Sequence, residues 1–165
     1  MVQSLPGVDV LTASAENGAP EVAWGDSFFY YDPDRSLAPD RRFPFATLVV
    51  QDYAGFDTAS DVNRPGVFRV NISVGRESYA KLFGHPPAEH ADHHDSYDYT
   101  VLDQVIPHPV YAKQGWVSIL SPAATSADQL RSLLTEAHAR AAHRHKGPAA
   151  PESSSAPGAD VAPEA

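Results

Sequence analysis

The sequence predicts a single α+β domain in which an antiparallel sheet of about five strands carries two or three helices on one face. The first observation is the order of the patterns, because strand-like runs come first along the chain and helical patterns later. The second is the alternation of apolar and polar residues at 67–74, which is typical of a strand with one buried face. The third is an amphipathic pattern at 127–144 that is long enough for a full helix.

Aromatic and β-branched runs predict the other strands. Residues 21–24 and 28–31 flank a short turn and are predicted to pair as a hairpin. Residues 45–50 form a third strand between two turn-rich loops, and residues 116–120 form the last strand. Together with residues 67–74, these segments give five strands.

Caps and apolar spacing predict the helices. Residues 75–84 place three apolar side chains on one helical face and end at a glycine, which favours a left-handed C-cap. The longest helix begins after the capping sequence at 125–128 and runs to about 144. A capping box at 100–103 predicts one or two further turns that end at Pro107.

The domain is predicted to end at residue 146. Residues 147–165 contain four prolines, one β-branched residue and no aromatic residue, so we expect a disordered tail. The chain has no cysteine, which excludes disulfides, thiol nucleophiles and cysteine-ligated metals. It also has no apolar run long enough to span a bilayer and no export signal at residues 1–7, so a cytoplasmic location is predicted.

The charge of the chain disfavours nucleic acid as a partner. Its 12 Lys and Arg residues stand against 21 Asp and Glu residues, which gives a formal net charge of −9. Proteins bind a phosphate backbone mainly through basic side chains that displace counterions. One cationic cluster exists, at the end of the last helix: Arg140, His143, Arg144, His145 and Lys146. The helix dipole accounts for cations at that position without any partner.

Three stretches of the chain carry a family resemblance. They are 24–31 (WGDSFFYY), 68–72 (FRVNI) with 75–77 (GRE), and 98–111 (DYTVLDQVIPHPVY). They resemble an uncharacterised actinobacterial family, domain of unknown function 6194, and the resemblance extends over about 5–144. Because this family has no assigned activity, the resemblance implies no mechanism.

The second half of the chain, from residue 108 to residue 138, is more distantly similar to the YjbR/MmcQ-like domains. This resemblance implies an α+β fold related to frataxin-like sheets, and it implies nucleic-acid binding only by structural analogy. The sequence departs from that group in its acidity. It departs again at the start, where only residues 2–5 precede Pro6 and Gly7, so the first helix is shortened or the start site is late.

The polar positions of the alternating strand mark a candidate ligand site. Arg69 and Asn71 lie at i and i+2 and therefore point in one direction, and arginine suits a carboxylate or a phosphate. Five further side chains are predicted to line a shared concavity with them, which would suit a small molecule: Trp24, Asp26, His108, Tyr111 and Trp116. The alternative is that this face of the sheet meets water and that the aromatic side chains pack in the core.

A second candidate site lies in the segment 85–98, which is rich in His and Asp. If the segment is helical, His90 and His94 share a face and can bind a divalent metal such as zinc or nickel, with Asp95 or Asp98 supplying an oxygen. A solvated loop explains the same residues, because two prolines precede them and no His-Glu-x-x-His pattern is present. A pH-responsive loop is the third interpretation.

No sequence motif indicates catalysis. Asp26 and His108 are candidates for an acid/base pair, and Ser27, Ser73 and Ser118 for nucleophiles, but neither a nucleophile elbow nor a phosphate-binding loop accompanies them. We therefore predict a non-catalytic binding or interaction domain whose partner is a small molecule or a protein. The alternatives are nucleic-acid binding through the last helix and a metal-dependent enzyme. No cofactor other than a divalent metal is predicted.

Overall fold

The strands of the sheet number six, one more than the sequence predicts. The structure is a computed structural model that describes residues 1–146, and the predicted tail at 147–165 lies outside the described residues. The strands are β1 (Val8–Thr12), β2 (Ser27–Tyr31), β3 (Ala46–Val49), β4 (Arg69–Ser73), β5 (Val105–Pro107) and β6 (Trp116–Leu120). They lie in the order β1-β2-β3-β4-β6-β5, with every neighbouring pair antiparallel, so the predicted α+β class is confirmed.

The helices are α1 (Gly75–Phe83), α2 (His90–His93) and α3 (Ala127–Lys146). Helix α1 ends at Gly84, whose φ of 80° is the left-handed conformation that the glycine predicts. Only a 3₁₀ turn at Val2–Ser4 precedes β1, so no full helix opens the chain. Within residues 1–146, no helix is both long enough and apolar enough to cross a membrane.

The predicted hairpin between residues 21–24 and 28–31 is wrong. Residues Glu21–Ala23 form a 3₁₀ turn, and β2 pairs with β1 instead, with Val10 opposite Phe29. Pro20 is still extended, with φ −64° and ψ 147°, and the 3₁₀ turn begins at the next residue. Strand β1 also supplies an alternating apolar face, and this face packs on the core. Strand β2 therefore pairs with the segment that buries apolar side chains against the core and not with the segment nearest to it along the chain.

The predicted helical turns after residue 100 are also wrong. Val105–Pro107 is the edge strand β5, a position at which a proline is tolerated because its nitrogen need not donate to a neighbour. The carboxylate of Asp103 binds backbone amides at the start of the last helix and not those of a local helix. It accepts hydrogen bonds from the backbone nitrogens of Ala123 at 2.7 Å and Ser126 at 3.0 Å, just before α3 begins.

The hydrophobic core lies between one face of the sheet and the helices α1 and α3. Apolar side chains from four strands meet those of the two helices: Phe29, Ala46, Ile72 and Val117 from the sheet, Tyr79 from α1, and Leu133, Leu134, Ala137 and Ala141 from α3. Because side chains alternate along a strand, the intervening residues point to the opposite face, called the open face below. The open face carries Arg69 and Asn71 on β4.

Candidate functional site

A cavity of about 440 Å³ lies on the open face, a volume within the range of small-molecule sites. Strand residues form its floor: Phe28, Thr47, Val49, Arg69, Asn71 and Trp116. The loop between β3 and β4 and the segment after β5 supply walls: Tyr53, Phe56, Asp57, His108 and Tyr111. Five of the seven predicted ligand-site residues line this cavity, namely Arg69, Asn71, His108, Tyr111 and Trp116.

The other two predicted ligand-site residues do not line the cavity. Trp24 is 41% exposed, and its indole N–H donates a hydrogen bond to the carbonyl oxygen of Ala19 at 2.9 Å. Asp26 is fully buried and accepts hydrogen bonds from the Val50 backbone nitrogen at 2.8 Å and the Tyr53 hydroxyl at 2.5 Å. Burial raises the pKa of Asp26, and the two hydrogen bonds act against that rise. Asp26 therefore anchors Tyr53, which lines the cavity.

The guanidinium of Arg69 is paired within the protein. Its two terminal nitrogens contact the two carboxylate oxygens of Asp57 at 3.2 and 2.5 Å, and one of them also donates to Ser60 Oγ at 3.0 Å. Only 2% of Arg69 is exposed, because the loop between β3 and β4 folds over it. The interpretation that this face of the sheet meets water is therefore wrong at Arg69.

Asn71 continues the polar network across three strands. Its Oδ1 accepts hydrogen bonds from Arg69 Nε at 2.9 Å and from Ser118 Oγ at 2.8 Å. Its Nδ2 donates to Thr47 Oγ1 at 2.9 Å. Asn71 and Ser118 are both buried, so their hydrogen bonds satisfy groups that would otherwise cost stability. The floor of the cavity therefore combines this polar network with the apolar side chains of Phe28, Val49 and Trp116, and the network uses most of its hydrogen-bonding capacity internally.

His108 differs from the floor residues because one of its ring nitrogens is free. Its Nδ1 accepts hydrogen bonds from the backbone nitrogens of Val110 and Tyr111, both at 3.0 Å, so the proton of the neutral ring is on Nε2. Burial, with a smaller contribution from the positive charge of Arg69, holds the pKa of His108 well below its usual value. The imidazole is therefore neutral at pH 7.

Nε2 is the ring nitrogen of His108 that the backbone amides leave available to the cavity. His108 is 3% exposed and lines the cavity, and its Nε2 has no hydrogen-bond partner among residues 1–146. Within residues 1–146, Nε of Arg42 is the one fully enclosed side-chain nitrogen that has no hydrogen-bond partner. Nε2 of His108 is therefore accessible to a small molecule such as water. His108 and Asp26 bond to different groups and do not form a hydrogen-bonded acid/base pair.

Aromatic side chains surround the mouth of the cavity. Phe43 is 76% exposed, Phe56 is 55% exposed and Tyr111 is 41% exposed. The rings of Phe56 and Tyr111 lie 6.1 Å apart. Sequence reasoning missed Phe43, Phe56 and Asp57, because each lies in a loop without any periodicity. The available signal was the presence of aromatic residues in turn-rich loops, Phe43 in one loop and Tyr53 and Phe56 in the other.

The His-rich segment 85–98 is folded into short helical turns. The interpretation of this segment as a solvated loop is therefore wrong. Short helical turns cover Pro87–Glu89, His90–His93 and His94–Ser96, and both His85 and His90 are only 7% exposed. The reason is aromatic packing, since the ring of His85 stacks on that of His93 at 4.0 Å. Burial, followed by the neighbouring imidazoles, lowers the pKa of His90.

The two predicted imidazole ligands meet in this segment. His94 Nδ1 lies 3.3 Å from His90 Nε2. Asp95 is exposed and makes no hydrogen bond to either ring. Within residues 1–146, no group of three or more His, Cys, Asp or Glu side chains is placed to hold a metal ion. The hydroxyl of Tyr99, which the sequence analysis did not consider, lies 3.0 Å from His94 Nδ1 and 3.3 Å from His90 Nε2.

Comparison with known proteins identifies the family of the chain. No curated protein and no solved structure matches it significantly. A match to a family of unknown function covers residues 1–150, which is most of the chain and includes every residue of the cavity. This protein therefore belongs to the family of unknown function DUF6194.

Proposed function

We propose that the protein binds a small, uncharged and largely apolar molecule in the cavity on the open face. The observation that carries this proposal is the free Nε2–H of His108, a donor on a buried ring that borders the cavity. A hydrogen bond that replaces contact with water contributes about 0.5–1.5 kcal/mol net. A ligand oxygen that accepts a hydrogen bond from Nε2 gains that amount only in one position, so His108 sets the orientation of the ligand.

The charges around the cavity favour an uncharged ligand. The positive charge of Arg69 is neutralised by Asp57, which contacts both of its terminal nitrogens. A carboxylate ligand would have to displace Asp57 or enter a buried site without a counter-charge, and both are costly. A ketone, ether, amide or phenol oxygen carries no such cost.

The apolar part of the lining favours a ligand with flat apolar surface. Phe28, Val49 and Trp116 lie in the floor, and Phe43 and Phe56 expose more than half of their surface at the mouth. Exposed aromatic surface beside a cavity loses contact with water when a ring packs against it. Burial of such surface contributes about 25 cal/mol per Å². Apolar contact therefore supplies affinity, and His108 supplies orientation.

Nucleic-acid binding, which the YjbR/MmcQ-like resemblance implies, has weaker support. The cationic end of α3 is partly engaged within the protein, since Arg140 donates to the carbonyl oxygen of Ser73 at 3.1 Å. The ring of His145 packs edge-on against Tyr31, with centroids 5.4 Å apart. Binding to nucleic acid and a cytoplasmic location stay predictions from the sequence.

Tryptophan fluorescence tests the proposal directly. The chain has two tryptophans, so Trp24→Phe leaves Trp116 in the cavity as the sole indole. A panel of bicyclic aromatic ketones and phenols is titrated into this variant, each beside the carboxylate with the same ring system. We expect saturable changes in Trp116 emission with members of the uncharged set, and at least about tenfold weaker binding of the matched carboxylates. The absence of any saturable uncharged ligand overturns the proposal.

His108→Asn tests the role of the free nitrogen. The Asn side-chain oxygen can still accept from the amides of Val110 and Tyr111, but the residue offers no group equivalent to Nε2. Loss of a hydrogen bond worth about 0.5–1.5 kcal/mol predicts roughly 2- to 12-fold weaker binding of the best ketone. Because Asn is smaller than the enclosed ring, the variant is expected to melt at a lower temperature, and binding is measured well below that temperature. His143→Asn, at an exposed position on α3, is the matched control. Equal affinity of the His108→Asn variant and its parent refutes the assigned orientation.

A further inference from the structure

The trio of His90, His94 and Tyr99 lies outside the cavity on the open face, and its donor atoms form a compact triangle. The sides are 3.3 Å between the two imidazole nitrogens, 3.3 Å from Tyr99 Oη to His90 Nε2, and 3.0 Å from Tyr99 Oη to His94 Nδ1. Two ligands on a tetrahedral ion, each about 2.0–2.1 Å from the metal, are separated by about 3.3 Å. The three donors therefore already have the spacing that a single metal ion requires.

We infer that His90, His94 and Tyr99 bind one late first-row divalent metal ion. Tyr99 takes the position that the sequence analysis gave to Asp95. Two imidazole nitrogens and one phenol oxygen form a borderline donor set, which suits Cu²⁺ and Zn²⁺, and Cu²⁺ binds more tightly in the general order of these ions. This inference is independent of the ligand proposed for the cavity on the open face.

The surroundings of His90 support coordination through its Nε2. Its Nδ1 lies 3.0 Å from the hydroxyl oxygen of Tyr79, a side chain that is fully buried in the core. When Nε2 binds a metal, the ring proton is on Nδ1 and is donated to this oxygen. A metal-ligating histidine usually donates its other N–H in this way, which holds the ring in one orientation.

An ion can reach the trio from solvent. His90 and His94 line a second, open cavity of about 470 Å³, and His94 is exposed. Water entering through this cavity supplies the fourth ligand. On binding, the phenol proton of Tyr99 passes to solvent and the phenolate oxygen binds the ion. The hydrogen bond from Tyr99 to the carbonyl oxygen of His94, now 2.8 Å, is lost in exchange.

Calorimetry and visible absorption of the full, tag-free chain, stripped of metal by a chelator, test the inference with Cu²⁺ and Zn²⁺ as probes. We expect one ion per chain and, with Cu²⁺, a visible charge-transfer band from the coordinated phenolate. His94→Gln changes an exposed residue and is expected to weaken binding by at least about tenfold. Tyr99→Phe is expected to abolish the charge-transfer band and to weaken binding as well.

His93→Gln is the matched control, because His93 lies on α2 together with His90 but stacks on His85 instead of joining the trio. It is expected to bind both ions as the parent does. The inference is overturned if no saturable binding occurs, or if His93→Gln weakens binding as much as His94→Gln does. A Tyr99→Phe variant that keeps both the affinity and the charge-transfer band removes Tyr99 from the site.

Discussion

Replacement of Asp57 by alanine is the most direct test of how the polar floor of the cavity is stabilised. The carboxylate of Asp57 is the counter-ion of Arg69, and the two side chains are 9% and 2% exposed. The substitution leaves a buried guanidinium without its partner. We expect Asp57→Ala to be strongly destabilising although it removes only a small side chain from a loop.

The expected magnitude follows from the hydrogen bonds that are lost. Asp57 accepts two of the four hydrogen bonds of the Arg69 guanidinium. A hydrogen bond to a charged group contributes about 1.5–3 kcal/mol, so two of them give about 3–6 kcal/mol. Breaking a buried ion pair by removing one partner typically costs about 3–5 kcal/mol, which agrees. We therefore expect the free energy of unfolding to fall by about 3–5 kcal/mol.

Urea denaturation at pH 7 measures this loss. Arg131→Ala is the matched control, because it breaks the Asp128–Arg131 pair, which has a 2.8 Å contact but side chains that are 102% and 58% exposed. We expect Arg131→Ala to lower the free energy of unfolding by only about 0–1 kcal/mol. The double variant Asp57→Ala/Arg69→Met should lose about 1–3 kcal/mol less than the sum of the single variants. A loss below about 1 kcal/mol in Asp57→Ala refutes the argument, because the pair would then be no stronger than a surface pair.

Two further predictions concern the loops that hold the fold together. The hydroxyl of Ser126 and nearby backbone amides hold the pKa of Asp103 below its usual value, so its contribution to stability is complete above about pH 4 and is lost as the pH falls further. Asp103→Asn should therefore melt at a lower temperature than the parent at pH 7, and this difference in melting temperature should become smaller below about pH 4. Thermal unfolding followed by circular dichroism measures it. A difference in melting temperature that is independent of pH contradicts the prediction. Gly115 has a φ of +83°, and a Cβ there would lie 3.2 Å from the backbone of Gly75. The control is Gly55→Ala, where φ is +76° and no atom lies within 4 Å, and we expect it to lower the free energy of unfolding by roughly 1–2 kcal/mol through left-handed strain alone. Gly115→Ala should lower the free energy of unfolding by more than that. Equal losses for the two variants in urea denaturation contradict the close contact.

Local patterns predicted the elements whose stability depends on nearby residues. The Gly84 cap ends α1 where predicted, and α3 begins directly after Ser126. The alternation around β4 correctly placed Arg69 and Asn71 together on the face opposite the core. Periodicity and caps are short-range signals, and at these positions the short-range and tertiary preferences agree.

Local patterns do not predict the structure of a segment whose partner lies far along the chain. Strand β1 is not predicted from the sequence because the alternation of Val8 and Val10 with Asp9 is too short to stand out, and its partner β2 begins 15 residues after β1 ends. The capping box at 100–103 was assigned to a local helix, although Asp103 bonds to residues about 20 positions later. A local pattern does not show which distant group will satisfy a donor or an acceptor.

Residue patterns along the chain are sufficient to predict the α+β class, the positions of the long helix and of the central strands, and five residues of the cavity. The folded chain adds that Arg69 and Asn71 are buried, that Asp57 neutralises Arg69 and that Tyr99 joins His90 and His94. The difference arises because strand and helix patterns reflect contacts a few residues apart. Burial, charge pairing and donor geometry depend on loops that bring distant residues together, and their free energies exist only in the folded chain.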